Sequence, residues 1–318
     1  MKFTESDIKA SPTALIISVG NGSGNAMNYI YENHKDDFEF LELYADMPRL
    51  FVSKIPLQNK LLIGKEETRN WEAYCNPEWG RLSAIYSADS IKAELNPECD
   101  VAFIIAGMGG GVGTGAAPVV AQICKSVGLY TIAICSIPFA FESYLRQRQA
   151  ASGIEQLKQN VDNIFIFSND AIRNFNLSLQ LSEAFEISDK MFSIPIDIFL
   201  SLLRDDGIVS LDYADFRKIL NGSKLAAAAS GTGTGENRMK KAFENVKKSP
   251  FLSEISLAES KKILMYISYG LSQPLLVKEL NDIIDFMKNI KESVNITWGT
   301  RINSTFTEGE VNVSIIIT

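Results

Sequence analysis

The stretch VAFIIAGMGGGVGTGAAPVVAQICKSVGL, residues 101–129, decides the architecture. Residues 101–106 are an unbroken apolar run, the mark of a strand buried on both faces of a parallel sheet. Six glycines then crowd between Gly107 and Gly115. From Ala116 the pattern becomes helical, with Pro118 expected in the first turn, Val119, Val120, Ile123 and Val127 on one face, and Gly128 as the stop. Strand, glycine loop and helix start in that order form an anion cradle, because free backbone N–H groups and the helix dipole point at the loop. Phosphate is the expected occupant. The Lys and hydroxyl that close a common P-loop are absent, since Ala116 and Ala117 follow Gly115. Charge must be met by main-chain N–H groups and a metal ion.

A second unit of the same kind opens the chain. The apolar run at residues 13–19 leads into GNGSGNAMNYIYEN, a glycine turn that starts a helix. With Glu42 about twenty residues on, a dinucleotide fingerprint suggests itself. It fails because the third glycine would have to stand at Asn25, and the loop at Gly107 would be left without a role.

The chain has 318 residues, 46% of them hydrophobic and 22% charged, enough for two packed domains. A net charge of −7 and a pI near 5.0 argue against a nucleic-acid partner. Cys75, Cys99, Cys124 and Cys135 lack C-x-x-C spacing and read as reduced core thiols. His34, the single histidine, sits in a polar run at a helix end, so carboxylates must do any proton work. No signal peptide or membrane-length apolar segment is present, and a cytoplasmic location is expected.

The order GGGVGTG, Gly109 to Gly115, followed by AAPVVA, resembles the signature of the tubulin/FtsZ family, the FtsZ branch most closely. The likeness extends over residues 14–318. VGNGSGNA keeps the family's Gly20, Gly22, Gly24 and Asn25, with Asn21 and Ser23 in place of glycines; Asn tolerates positive φ, and Ser adds a donor. Asp46 and Leu50 match the segment after the next strand, where Tyr44 and Ala45 replace Asn and Thr. Asn76, Pro77, Glu78, Gly80 and Arg81 match the loop that reaches the terminal phosphate. Glu72, Tyr74 and Cys75 stand there in place of glycines, where side chains can impose other backbone angles and Glu72 repels an anion.

The resemblance implies that Gly20, Gly22, Gly24, Asn25, Gly109, Gly110, Gly111, Val112, Gly113, Thr114 and Gly115 bind GTP or GDP with Mg2+. Val112 stands where the family usually has Thr. Glu142 and Arg146 match its ribose-contacting F-E-x-x-x-R, and Asn169 its strand-end N-D pair. AFEISD, residues 184–189, matches its A-F-x-x-A-[ND], with Ser188 for the second Ala. Phe185 offers a face for a purine, and Asp189 can accept from guanine N1–H and N2–H2, which adenine lacks.

Asp212 and Asp215, spaced i, i+3 at a helix start, suit helix capping. In the family the same aspartates reach the next subunit's nucleotide and polarise the attacking water; Ser210 replaces its Asn. The partner so implied is a second copy in a head-to-tail filament, with hydrolysis conditional on assembly. The membrane-tethering partner is unidentified, because the family's usual C-terminal linker and peptide are not in the sequence. Cell division is the implied role; the alternative is a structural or regulatory filament that hydrolyses little and serves membrane remodelling.

The expected fold class is α/β, a doubly wound, mostly parallel sheet joined by a central helix to a smaller α+β domain. Residues 12–180 form the expected GTP-binding domain, 181–204 the linking helix and 205–318 the C-terminal domain. Pro195 predicts a kink or break near residues 193–196 of that helix. GTGTG, residues 231–235, reads as a plain strand-to-helix turn.

Overall fold

A computed structural model of the chain describes residues 12–64, 75–175, 180–204, 207–253, 255, 257–288, 290 and 294–318. These divide into two compact units, the first within 1–133 and 148–162, the second within 134–147 and 163–318.

In the first unit, strands β1 (Ala14–Val19), β2 (Glu39–Tyr44), β3 (Lys60–Leu62) and β4 (Val101–Gly107) form a parallel sheet in the order β3-β2-β1-β4. Its register pairs Leu15 with Glu39 and Ile16 with Phe103. β1 and β4 are buried along almost their whole length, as their unbroken apolar runs require of central strands. Helix α1 (Gly24–His34) follows β1, and the short α2 (Met47–Leu50) follows β2. α3 (Pro77–Tyr86) and α4 (Ala88–Ala93) precede β4, and α5 (Gly111–Ser126) follows it. Strand β5 (Tyr130–Ile137) and helix α6 (Tyr144–Asn160) each run through a boundary between the two units.

The second unit contains β6 (Asn163–Ser168), α7 (Asn169–Phe175), α8 (Leu181–Leu203), α9 (Tyr213–Leu220), β7 (Leu225–Thr234) and α10 (Arg238–Val246). It ends with β8 (Lys262–Tyr269), α11 (Leu280–Met287), β9 (Asn295–Ile302) and β10 (Glu310–Ile317). β6 joins β7 in parallel, β10 runs antiparallel between β7 and β8, and β9 pairs with β8 in parallel. Parallel strands alternating with helices, followed by a mixed sheet, give the expected α/β class.

Three expectations about elements change. α5 begins at Gly111 rather than Ala116, so Pro118 lies well inside the helix. The glycines permit this by close approach: a Cβ on Gly115 would come within 1.8 Å of the Pro77 carbonyl oxygen, and one on Gly80 within 2.3 Å of the Gly111 oxygen. The seam between α3 and α5 is thus backbone against backbone. Second, α8 continues through Pro195, so the helix has no break near residues 193–196. Buried Phe192, Ile196 and Phe199 hold both sides of the proline in one packed helix, offsetting the lost hydrogen bond of about 3 kcal/mol. The Ser193 hydroxyl lies 3.0 Å from the Lys190 oxygen and 2.9 Å from the Asp197 carboxylate in that turn.

Third, GTGT belongs to β7 rather than to a turn. A Cβ on Gly231 or Gly233 would meet the α10 carbonyls of Ala242 and Arg238 at 2.3 and 1.9 Å. The repeat is a seat for α10. For the α3–α5 seam, Gly115→Ala is expected to lower unfolding free energy by about 1–3 kcal/mol in a denaturant titration, the usual cost of overpacking.

Candidate functional site

In the first unit the site is built by two strand-to-helix loops that touch through their main chains. Gly20 turns the chain out of β1 with φ +78°, a conformation that favours glycine. A Cβ there would lie 2.9 Å from the Gly113 nitrogen, and one on Gly22 3.1 Å from the Gly107 Cα. A Cβ on Gly113 would come within 2.4 Å of the Gly107 oxygen. These approaches bring Gly20 and Gly22 against Gly113 and Gly107, whereas a Cβ on Gly24 would meet only the Tyr44 hydroxyl, at 3.6 Å. Around Gly110, by contrast, space is open, with no atom within 4 Å of a built Cβ. Gly110 is the N-cap of α5, and this sixteen-residue helix starts without a side-chain cap for its first N–H groups. Asn25, in the first turn of α1, is exposed.

Side chains in these loops face inward. Thr114 is 3% exposed, and its Oγ1 accepts the Gly109 N–H at 2.8 Å, so it shapes the loop. Ser23 is buried, its hydroxyl 2.8 Å from that of Ser18 and near the carbonyls of Val19 and Gly20. The donor expected of Ser23 is therefore spent on the fold. Asn21 needs no positive φ either, because Gly20 makes the turn and Asn21 lies in a 3-10 turn. Val112 packs against Gly20.

Glu42, which the rejected dinucleotide reading needed for a ribose, is fully buried. It accepts from the Tyr44 hydroxyl at 2.8 Å and from Ser53, and burial raises its pKa above the usual carboxylate range.

Of the terminal-phosphate loop, Glu72 and Tyr74 lie outside the described residues. Cys75 has φ +56°, in the left-handed region that favours glycine. Its carbonyl accepts from Gln149 at 3.1 Å, and Asn76 caps α3 by accepting the Glu78 N–H at 3.0 Å. Cys75 is exposed, so the core-thiol reading holds only for Cys99, Cys124 and Cys135.

The second unit holds the residues suited to a base. Glu142 and Arg146 form an ion pair, and Glu142 also accepts the Phe139 N–H at 3.0 Å. Phe139 stacks on Phe141 at 5.1 Å and meets Phe185 edge to face at 6.1 Å. Phe185, 48% exposed, keeps surface for a purine. Sequence reasoning missed this aromatic group, although the spacing in PFAF signals it. Asn169 starts α7, and Ser188 donates to its Oδ1 at 3.2 Å. One residue on, burial and then the neighbouring Glu186 push Asp189 up to about 6.

Asp212 and Asp215 form a reciprocal capping box at the start of α9. Asp212 accepts the Asp215 N–H at 3.0 Å, and Asp215 accepts the Asp212 N–H at 3.4 Å.

Among the described residues no group of three or more His, Cys, Asp or Glu side chains is placed to hold a metal ion. No helix among them is long and apolar enough to cross a membrane.

Residues 13–176 match the Tubulin/FtsZ family, GTPase domain, and residues 225–318 the FtsZ family, C-terminal domain. The chain belongs to the Tubulin/FtsZ family. It is 31% identical over 305 residues to the cell division protein FtsZ of Buchnera aphidicola subsp. Baizongia pistaciae, covering 95% of this chain and 78% of that one. An empty FtsZ dimer from M. jannaschii superposes with a TM-score of 0.86 at 28% identity, covering 99% and 90% of the two chains. CetZ2 from Haloferax volcanii, a GTPγS-bound protofilament, shares the fold with a TM-score of 0.78 at 16% identity, over 96% and 92%.

Within this Tubulin/FtsZ chain, Asp189 and Cys75 have measurable consequences. Ionised, the Asp189 carboxylate is acceptor-only and can take two N–H groups at once; protonated, one of its oxygens becomes a donor. With its pKa near 6 in the free protein, GDP affinity should fall about tenfold from pH 7 to pH 5 relative to an Asp189→Asn series, which corrects for titration of the phosphate. The raised value also means that the folded state gains stability below the usual carboxylate range and loses it as pH rises through 6. Cys75→Gly should raise unfolding free energy by about 1 kcal/mol, the left-handed penalty of a non-glycine residue.

Proposed function

We propose that this protein binds GTP, polymerises head to tail and hydrolyses GTP at the junction between subunits, in the cytoplasm and in cell division. The observation that carries this reading is the contact of two glycine loops beneath the uncapped N-terminus of α5. Such a cradle offers main-chain donors and a helix dipole to phosphates without needing a lysine. Phosphate binding is assigned to the glycine loops, and base recognition to Phe185, Asn169 and Asp189. The dimeric FtsZ and the GTPγS-bound protofilament among the similar structures support assembly.

In this reading the catalytic groups are Asp212 and Asp215, supplied to the neighbour's nucleotide. Each already has a main-chain partner that fixes its direction, and each carboxylate keeps lone pairs for a water molecule. Phosphoryl transfer needs positioning and charge more than covalent chemistry, so a pair of held carboxylates suffices on the protein side. The alternative, a filament with little hydrolysis, rests on Glu72, Tyr74 and Cys75 standing in place of glycines.

Phosphate release and sedimentation with GTP, followed across protein concentrations, separate the two. The first reading requires one concentration threshold for both, whereas filaments without phosphate release support the second. Asp212→Asn keeps an N-cap acceptor, so it should leave GDP binding and thermal unfolding unchanged while lowering phosphate release at least about a hundredfold.

A further inference from the structure

We propose that Gln149 is a positioning residue for the segment that enters α3: its side-chain amide holds the Cys75 peptide group in place, and so sets how much more tightly the chain takes a nucleoside triphosphate than a diphosphate. This rests on the guanine-nucleotide reading above. Gln149 lies on α6 one turn before Gly153, and both belong to the first unit. Gly153 seats α6 on α5, since a Cβ there would come within 2.4 Å of the Thr114 Cγ2. From that seat the Gln149 Nε2 donates to the Cys75 carbonyl at 3.1 Å, the one hydrogen bond Cys75 makes among the described residues. A carbonyl can only accept, so the amide presents its N–H end there and its direction is settled.

Cys75 needs such a hold. Its φ of +56° lies where an L side chain crowds the backbone, and such a conformation persists only when its surroundings impose it. Two residues on, the Pro77 carbonyl is pressed so close to α5 that a Cβ on Gly115 would come within 1.8 Å of it. The α3–α5 seam thus fixes one end of the segment, and Gln149 fixes the other. The amide itself adds little to stability: it bonds a residue at the surface and buries an Oε1 that meets no hydrogen-bond partner among the described residues. What it does supply is direction. In a trans peptide the carbonyl and the next N–H point opposite ways, so a Cys75 carbonyl drawn toward α6 turns the Asn76 N–H away from it. That N–H makes no hydrogen bond among the described residues. The family resemblance places this segment at the terminal phosphate, where a donor of fixed direction acts on a triphosphate and not on a diphosphate.

The test is titration of the full chain with GDP and with GTPγS, below the protein concentration at which sedimentation begins. The unmodified protein is compared with Gln149→Met, which keeps the length of the side chain and removes its donor, and with the same substitution in a Cys75→Gly background. Gln149→Met should weaken GTPγS by about threefold to tenfold, the worth of one hydrogen bond, while GDP affinity and the thermal unfolding midpoint stay unchanged. Glycine takes φ +56° without a side-chain penalty, so in the Cys75→Gly background the loss should shrink to less than about twofold.

Equal weakening of both nucleotides by Gln149→Met would mean a general packing role and overturn the proposal. So would an unchanged ratio of GTPγS to GDP affinity, or a loss of the same size with glycine at position 75. If the unmodified chain binds neither nucleotide, the guanine-nucleotide reading itself falls, and this inference falls with it.

Discussion

The main-chain contact between the loops after β1 and β4 is the constraint on which the first unit depends. Gly20 and Gly22 lie against Gly107 and Gly113 at distances that leave no room for a Cβ. Both strands must therefore end level, as their register requires, and both helices must start at one place. The α3–α5 seam extends the same principle. Pro77 and Gly80 pack on Gly111 and Gly115, which brings the start of α3 beside the start of α5. Side-chain volume is excluded from the region so that peptide groups can occupy it.

This explains the division of polar groups. Near the loops, Thr114, Ser23 and Glu42 are turned into the fold and fully engaged there. What remains to face a ligand is mostly amide N–H, a weak donor individually but fixed in direction, which suits a multiply charged anion. In the second unit the candidate groups are side chains: an aromatic face, a carboxylate and an amide. A base differs from its competitors by one or two exocyclic groups, and only side chains of specified polarity can tell these apart.

Much of this was legible in the chain. Unbroken apolar runs located the central strands, because burial on both faces leaves no other composition open to them. The glycine loops were legible because close approach forbids substitution. Less legible was where a helix begins within such a run: five glycines from Gly107 to Gly113 have poor helix propensity, yet α5 starts at Gly111 because packing against α3 decides it. Pro195 brings no break for the same reason, as tertiary burial on both sides outweighs a local penalty. The direction of a short polar side chain was not legible at all. Ser23 and Ser188 are both serines at positions of small residues; one is spent on its own loop and the other on Asn169.

Cys75 carries a consequence of a different kind. The other three thiols are buried, with Cys99 pushed up to about 11, Cys124 up to about 12 and Cys135 higher still by desolvation. Thiolate is the reactive form, so maleimide chemistry on the native chain is directed to Cys75 alone. The replacement of a glycine has thus created an attachment point for a fluorophore beside the start of α3, without mutagenesis. A dye placed there would ride on the segment whose backbone is held in the left-handed region, and its anisotropy would report on that segment from inside an assembling solution.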